Sequence, residues 1–168
     1  VAIRSKIELV RDENGSRVLL GGEDVSEEIR SPDIDLHVSR VSEVSGVRVA
    51  IVEQQREMGR GLDAVMEGRD IGTVVFPEAE VKIYLVASVE ERARRRQKEL
   101  ALRGISHDLE DVIADLQRRD EHDSTRAIAP LKPAADSIWL DTTKLGIEEQ
   151  VDEVVRIATE RTATKHGD

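Results

Sequence analysis

Residues 81–103, VKIYLVASVEERARRRQKELALR, decide the fold. The run 81–86 is apolar and β-rich, and it gives way at Ser88-Val89-Glu90-Glu91, where Ser and Glu at three-residue spacing form a capping box. A strand therefore feeds directly into a helix, which is predicted to reach about Arg103, where Gly104 stops it. Toward the C-terminus, Leu109, Val112, Ile113 and Leu116 share one face of a second helix that carries Arg119 and Asp123 one turn apart near its end. Residues 138–141, IWLD, read as another core strand. A last helix, roughly 147–161, places Val151, Val154, Val155 and Ala158 on its apolar side. Toward the N-terminus, 62–66 reads as a strand and 67–72 as the loop leaving it. Strand and helix alternate from residue 60 onward, which predicts a parallel sheet flanked by helices, with ligands at the carboxyl ends of the strands.

The front of the chain has a different pattern. Short apolar runs at 7–10 and 18–20 surround Asp12-Glu13-Asn14-Gly15, a hairpin signal, and Gly21-Gly22 starts a further turn. A small antiparallel β insert is expected there. From about 35 to 60, Val38, Val41, Val44, Val47, Ile51 and Val52 recur at helical spacing, with Gly46 placed to break the helix in two. The expected division is 1–34 for the β insert, 35–91 for helices and core strands, 92–126 for an arginine-rich region with its helices, and 127–168 for the last strand and helix. Only three parallel strands can be counted, and the chain starts at Val1 rather than Met. The reading therefore expects a preceding strand and helix in a longer parent protein.

Composition narrows the function. With 168 residues, 39% hydrophobic and 36% charged, the chain suits a soluble globular unit. No apolar run nears the ~18 residues of a membrane span, and no signal peptide is recognisable, so no membrane partner and a cytoplasmic location are expected. There is no Cys, which rules out disulfides, thiol catalysis and Cys-bound zinc. The four His residues are scattered, and no metal ligands are assigned. A net charge of −10 and one each of Phe, Tyr and Trp argue against a nucleic-acid polymer as partner. Yet Arg92, Arg94, Arg95 and Arg96 crowd together, and Arg118, Arg119 and Arg126 follow. Such a local cationic zone suits a small anion, although helix-surface ion pairs with Glu90, Glu91 and Glu99 would look alike.

Two segments carry candidate chemistry. In EGRDIGTVVFP, residues 67–77, a glycine between charged residues allows close backbone approach and an Arg-Asp pair leaves a strand end. In RRDEHDSTRAIAPL, residues 118–131, Arg119, Asp123 and Arg126 fall at four- and three-residue spacing and share a face if the helix continues. Two guanidiniums around a carboxylate make either a structural ion cluster or a phosphate clamp, because guanidinium forks match phosphate oxygens. His122 lies within this segment and is expected to face solvent.

Taken together, IELVRDENGSRVLLGGEDVSEEIRSP, EGRDIGTVVFP, SVEERARRR, RRDEHDSTRAIAPL and SIWLDTT resemble the bacterial-type cytidylate kinases, within the P-loop nucleoside monophosphate kinases. Nearly the whole chain is covered, with the segments in order. The resemblance implies an α/β fold with a parallel sheet of the P-loop monophosphate-kinase kind, flanked by helices, lacking the first strand and P-loop. It implies transfer of a phosphoryl group from ATP, used with Mg2+, to CMP or dCMP by a monomeric enzyme. It implies that Ser39, Arg48 and Asp70 surround the cytosine, that Arg69, Arg119 and Arg126 hold phosphate, and that Asp123 meets the sugar hydroxyls. The run 92–96 resembles the start of the lid over ATP, with Arg95 as the lid cation. The early β insert resembles the one that enlarges the monophosphate site, and it is expected to move on binding.

Chemistry supports the base assignment, since cytosine presents an amino donor that a carboxylate accepts, where uracil presents a lone pair. Two departures stand out. No Gly is followed by Lys, so the G-x-x-x-x-G-K-[ST] phosphate loop is absent, as is the family's DTGAMYR-like segment, and the chain alone is expected to be inactive. Ser45-Gly46 also stands where the family usually has Pro. The alternatives are a non-catalytic nucleotide-binding module and a monophosphate kinase of different base preference.

Overall fold

The computed structural model describes residues 5–13 and 15–165, without the side chains of residues 12, 32, 33, 35, 36, 39, 164 and 165. Two compact units are formed, one of residues 1–67 with 126–129, the other of 68–125 with 130–168.

The first unit opens with the expected antiparallel sheet, β1 (Ile7–Asp12), β2 (Gly15–Leu20) and β3 (Glu23–Asp24), in the order β1-β2-β3. Asp12 pairs with Gly15, leaving two residues for the turn, of which Asn14 lies outside the described residues. So small a sheet buries little, and Leu9 and Leu20 are exposed. Specific bonds hold it instead. The Ser26 hydroxyl accepts from Val18 N at 2.9 Å and donates to Asp24 at 2.6 Å. That hydroxyl, together with the Ser26 backbone N–H, keeps the Asp24 carboxyl below the usual carboxylate range.

Two helices follow, α1 (Pro32–Ser42) and α2 (Ser45–Met58). The single amphipathic stretch does divide in two, but at Glu43-Val44, with Gly46 inside the first turn of α2. Pro32 opens α1, where its missing N–H costs nothing. Ala50 and Val52 are the buried apolar residues of α2. From the same helix Gln54 reaches the sheet, accepting from Ile7 N at 3.0 Å and donating to Ser5 O at 3.0 Å. Gln54→Ala removes both bonds, each worth about 1 kcal/mol. Roughly tenfold faster hydrogen exchange at the Ile7 amide is expected, with the α2 amides unaffected.

The second unit holds β4 (Ile83–Val86) and β5 (Ile138–Asp141), paired in parallel with Ile83 opposite Ile138 and Val86 opposite Asp141. Between them lie α3 (Val89–Leu102) and α4 (Leu109–Thr125), and α5 (Ile147–Lys165) follows β5. As the capping box requires, Ser88 Oγ accepts from Glu91 N at 3.2 Å, and Gly104 takes φ +75° just past the end of α3. Helices α3 and α4 pack on each other. Ala93, Leu100, Val112, Leu140, Ile157 and Val75 form the core, a mixed α/β arrangement of the expected class.

Three expectations need correction. Residues 62–66 are not a strand. A strand exists through its ladder partner, and this segment pairs with nothing among the described residues, leaving Val65 97% exposed. The Arg-Asp pair is followed instead by a π-helical turn, Ile71–Val75, closed by Phe76 N donating to Ile71 O at 2.7 Å. On α5 the covered side runs through Val154, Ile157 and Ala158, while Val151 and Val155 are exposed. Finally, α4 ends at Thr125, so Arg126 is not on the helix.

Candidate functional site

Within the second unit an alternating chain of charges joins three segments distant in sequence. Arg69, just before the π turn, has Nη1 2.9 Å from Asp123 Oδ2 and 3.5 Å from Asp120 Oδ1. Asp120 in turn takes Nη1 of Arg92 on α3 at 2.6 Å. Asp123 also faces Nε of Arg119, one turn before it on α4, at 3.9 Å. The order is Arg92, Asp120, Arg69, Asp123, Arg119. Arg92 Nε also donates to Ala87 O at 3.3 Å, which ties the chain to the residue just past the carboxyl end of β4.

Burial decides what this arrangement is worth. Asp123 is 1% exposed, and a carboxylate so placed is tolerated only with close cations. The cations are not themselves submerged, since Arg69, Arg92 and Arg119 are about one-third exposed. The buried Asp123 carboxylate faces Arg69 and Arg119, while Arg92 is paired with the partly exposed Asp120. Three guanidiniums against two carboxylates give the cluster the sign that a phosphate needs.

Local backbone sets the position of Arg69. A Cβ on Gly68 would come within 2.8 Å of Ile71 Cγ1, so any side chain here would force the Ile71 side chain to shift. Asp70 is the N-cap of that turn and half-buried, and its carbonyl accepts from Val74 N at 2.8 Å while its side chain makes no capping bond. After α4, Leu131 N donates to Asp123 O at 2.7 Å, which pins the chain just past Pro130.

The other expected residues fall as follows. Arg95 is turned to the end of β5, donating from Nη2 to Thr142 O at 2.6 Å and from Nη1 to the buried Thr142 hydroxyl at 3.1 Å, with Nε on Glu91 at 2.9 Å. Beside it, the Thr143 hydroxyl and backbone N–H hold the Asp141 carboxyl below its ordinary range. Arg126 belongs to the first unit, is buried, and donates to Ala129 O at 2.7 Å and to Ser42 Oγ of α1 at 3.0 Å. Arg48 sits half-buried in the first turns of α2. Ser39 lies in α1, with its side chain outside the described set.

Of the residues singled out in the sequence, Arg69, Arg119 and Asp123 are thus brought together. Asp120 and Thr142 were missed. The signal for Asp120 was its three-residue spacing from Asp123, which puts both carboxylates on one face of α4. His122, expected to face solvent, is half-buried with Nε2 inside.

The family model described as cytidylate kinase matches residues 1–160. The chain belongs to the cytidylate kinase family. Among relatives named cytidylate kinase, that of Anoxybacillus flavithermus is 51% identical over 155 residues, covering 92% of this chain and 69% of the relative. That of Geobacter sp. strain M21 is 52% identical over 157 residues, covering 94% and 67%. That of Rhodococcus jostii is 50% identical over 152 residues, covering 90% and 66%. The chain therefore spans about two-thirds of the length of these cytidylate kinases. Among the described residues, no helix of this family member is long and apolar enough to cross a membrane.

Proposed function

We propose that this chain forms the acceptor side of an enzyme that transfers a phosphoryl group from ATP to CMP or dCMP, giving CDP or dCDP. The observation that carries the reading is the buried Asp123 gripping the Arg69 guanidinium, with Arg119 alongside, in a member of the cytidylate kinase family.

In this reading Arg69 and Arg119 hold the phosphate of the monophosphate, and Arg126 is the third arginine assigned to it. Because the acceptor is already an anionic oxygen, the chain needs no general base. Its task is to fix that oxygen and spread the charge that builds in a loosely bonded transition state. Asp70 accepts the cytosine amino group, with Ser39 and Arg48 as donors to the ring acceptors. Asp123 meets the sugar hydroxyls and shares its carboxylate between them and the arginines. Residues 1–34 serve as the insert of the monophosphate region and 92–126 include the lid. Arg95 reaches the donor phosphates only by exchanging its bonds to Thr142 for them, a rearrangement in keeping with lid motion.

ATP with Mg2+ is the donor in this reading. The described residues contain no group of three or more His, Asp or Glu suited to a metal, and the carboxylates of the cluster face guanidiniums, so no Mg2+ seat is assigned to them. Nor does the sequence contain a Gly-Lys pair on which a phosphate loop could be built. Turnover is accordingly assigned to a polypeptide that also carries that loop, and acceptor binding to these residues.

Calorimetric titration of this chain with CMP, UMP and cytidine tests the proposal. CMP is expected to bind at least tenfold more tightly than either of the others. Equal affinity for CMP and cytidine would remove the phosphate site, and equal affinity for CMP and UMP would remove the base assignment.

A further inference from the structure

Asp120 has no part in the roles set out above, yet it joins α4 to two other segments at once. One carboxylate oxygen faces Arg92 at 2.6 Å and the other faces Arg69 at 3.5 Å. The two guanidiniums thus lie on either side of a single carboxylate. Arg92 also donates from Nε to Ala87 O at 3.3 Å, a longer and weaker hold than its 2.6 Å contact with Asp120.

We propose that Asp120 is a positioning residue of the acceptor site, aiming Arg92 of α3 at the same anion that Arg69 holds and so adding a third cation from the second unit to the acceptor phosphate. This rests on the acceptor-site reading. A bare carboxylate would repel a phosphate, but the charge of Asp120 is matched by Arg92 at 2.6 Å. An incoming anion therefore meets a neutral pair with a fixed guanidinium edge. When the phosphate arrives on the exposed edge of Arg69, Arg92 is already held on the carboxylate that Arg69 also faces, so it loses less freedom than an unheld arginine would. The arrangement also links α3, where the lid region begins, to occupancy of the acceptor site.

The test compares CMP and cytidine binding to the wild-type protein, Asp120→Asn, Asp120→Glu, Arg92→Gln and the Asp120→Asn/Arg92→Gln double variant, with thermal unfolding to confirm that each is folded. Asp120→Asn and Arg92→Gln are each expected to weaken CMP about tenfold, as for loss of one charge-assisted hydrogen bond, and to leave cytidine unchanged. The double variant should be no weaker than either single one, and Asp120→Glu should recover most of the loss. Unchanged or tighter CMP binding by Asp120→Asn, parallel loss of CMP and cytidine, or additive losses in the double variant would each overturn the proposal. A wild-type protein that binds no CMP would bring down the acceptor-site reading itself, and this proposal with it.

Discussion

Replacing Arg69 by alanine is expected to cost about 3 kcal/mol of stability and at least ~100-fold in CMP affinity. The stability loss comes from Asp123, which is 1% exposed and has Arg69 at 2.9 Å but Arg119 only at 3.9 Å. Removing the nearer partner breaks a buried ion pair, for which losses of about 3–5 kcal/mol are usual. The affinity loss comes from the phosphate, since a guanidinium fork supplies two charge-assisted bonds at about 1.5 kcal/mol or more each. A double variant separates the two effects. Arg69→Met with Asp123→Leu removes the charge pair together and keeps the volume, so most of the stability should return while CMP binding stays lost. Denaturant unfolding and calorimetry on the two proteins check this. If the double variant binds CMP normally, the ion pair is structural only.

The second large effect is expected at Asp70. Asp70→Asn should weaken CMP about 100-fold while weakening UMP far less, because a carboxylate offers cytosine only acceptors whereas an amide offers a donor as well. The backbone carbonyl of Asp70, which caps the π turn, is kept by the substitution, and thermal unfolding checks that the variant is folded. Equal losses for both nucleotides would show that Asp70 does not read the base.

How far the sequence could be read depended on whether the determinants were local. The start of α3 was legible because Ser88 and Glu91 form the cap between themselves. The strand at 138–141 was legible because its apolar run is short and sharply bounded. Residues 62–66 have the same composition as a strand but no ladder partner among the described residues, and pairing is a non-local property that composition does not carry. Helix α5 showed its period but not how much of the apolar stripe its neighbours cover, so Val151 and Val155 were misplaced and Ile157 was overlooked.

The site shows the same division. Arg119 and Asp123 share a helical face by spacing, and the helix delivers them together. Arg126 was expected to extend that face. The helix stops one residue earlier, where Ser124 and Thr125 turn their hydroxyls back to Glu121 O and Ala129 adopts φ +48° ahead of Pro130. That Arg69 and Arg92 would converge on α4 was not legible, because each arrives from a separate segment whose placement is fixed only by packing.

Nitrogen-proton NMR of the arginine Nε–Hε groups during CMP addition bears most directly on the claim that Arg69, Arg119 and Asp123 form the acceptor-phosphate site. The Arg69 and Arg119 signals should shift and sharpen with CMP, in step with calorimetric saturation, and stay in place with cytidine. If CMP saturates the protein while both signals remain unmoved, the phosphate is held elsewhere and the site has been wrongly assigned.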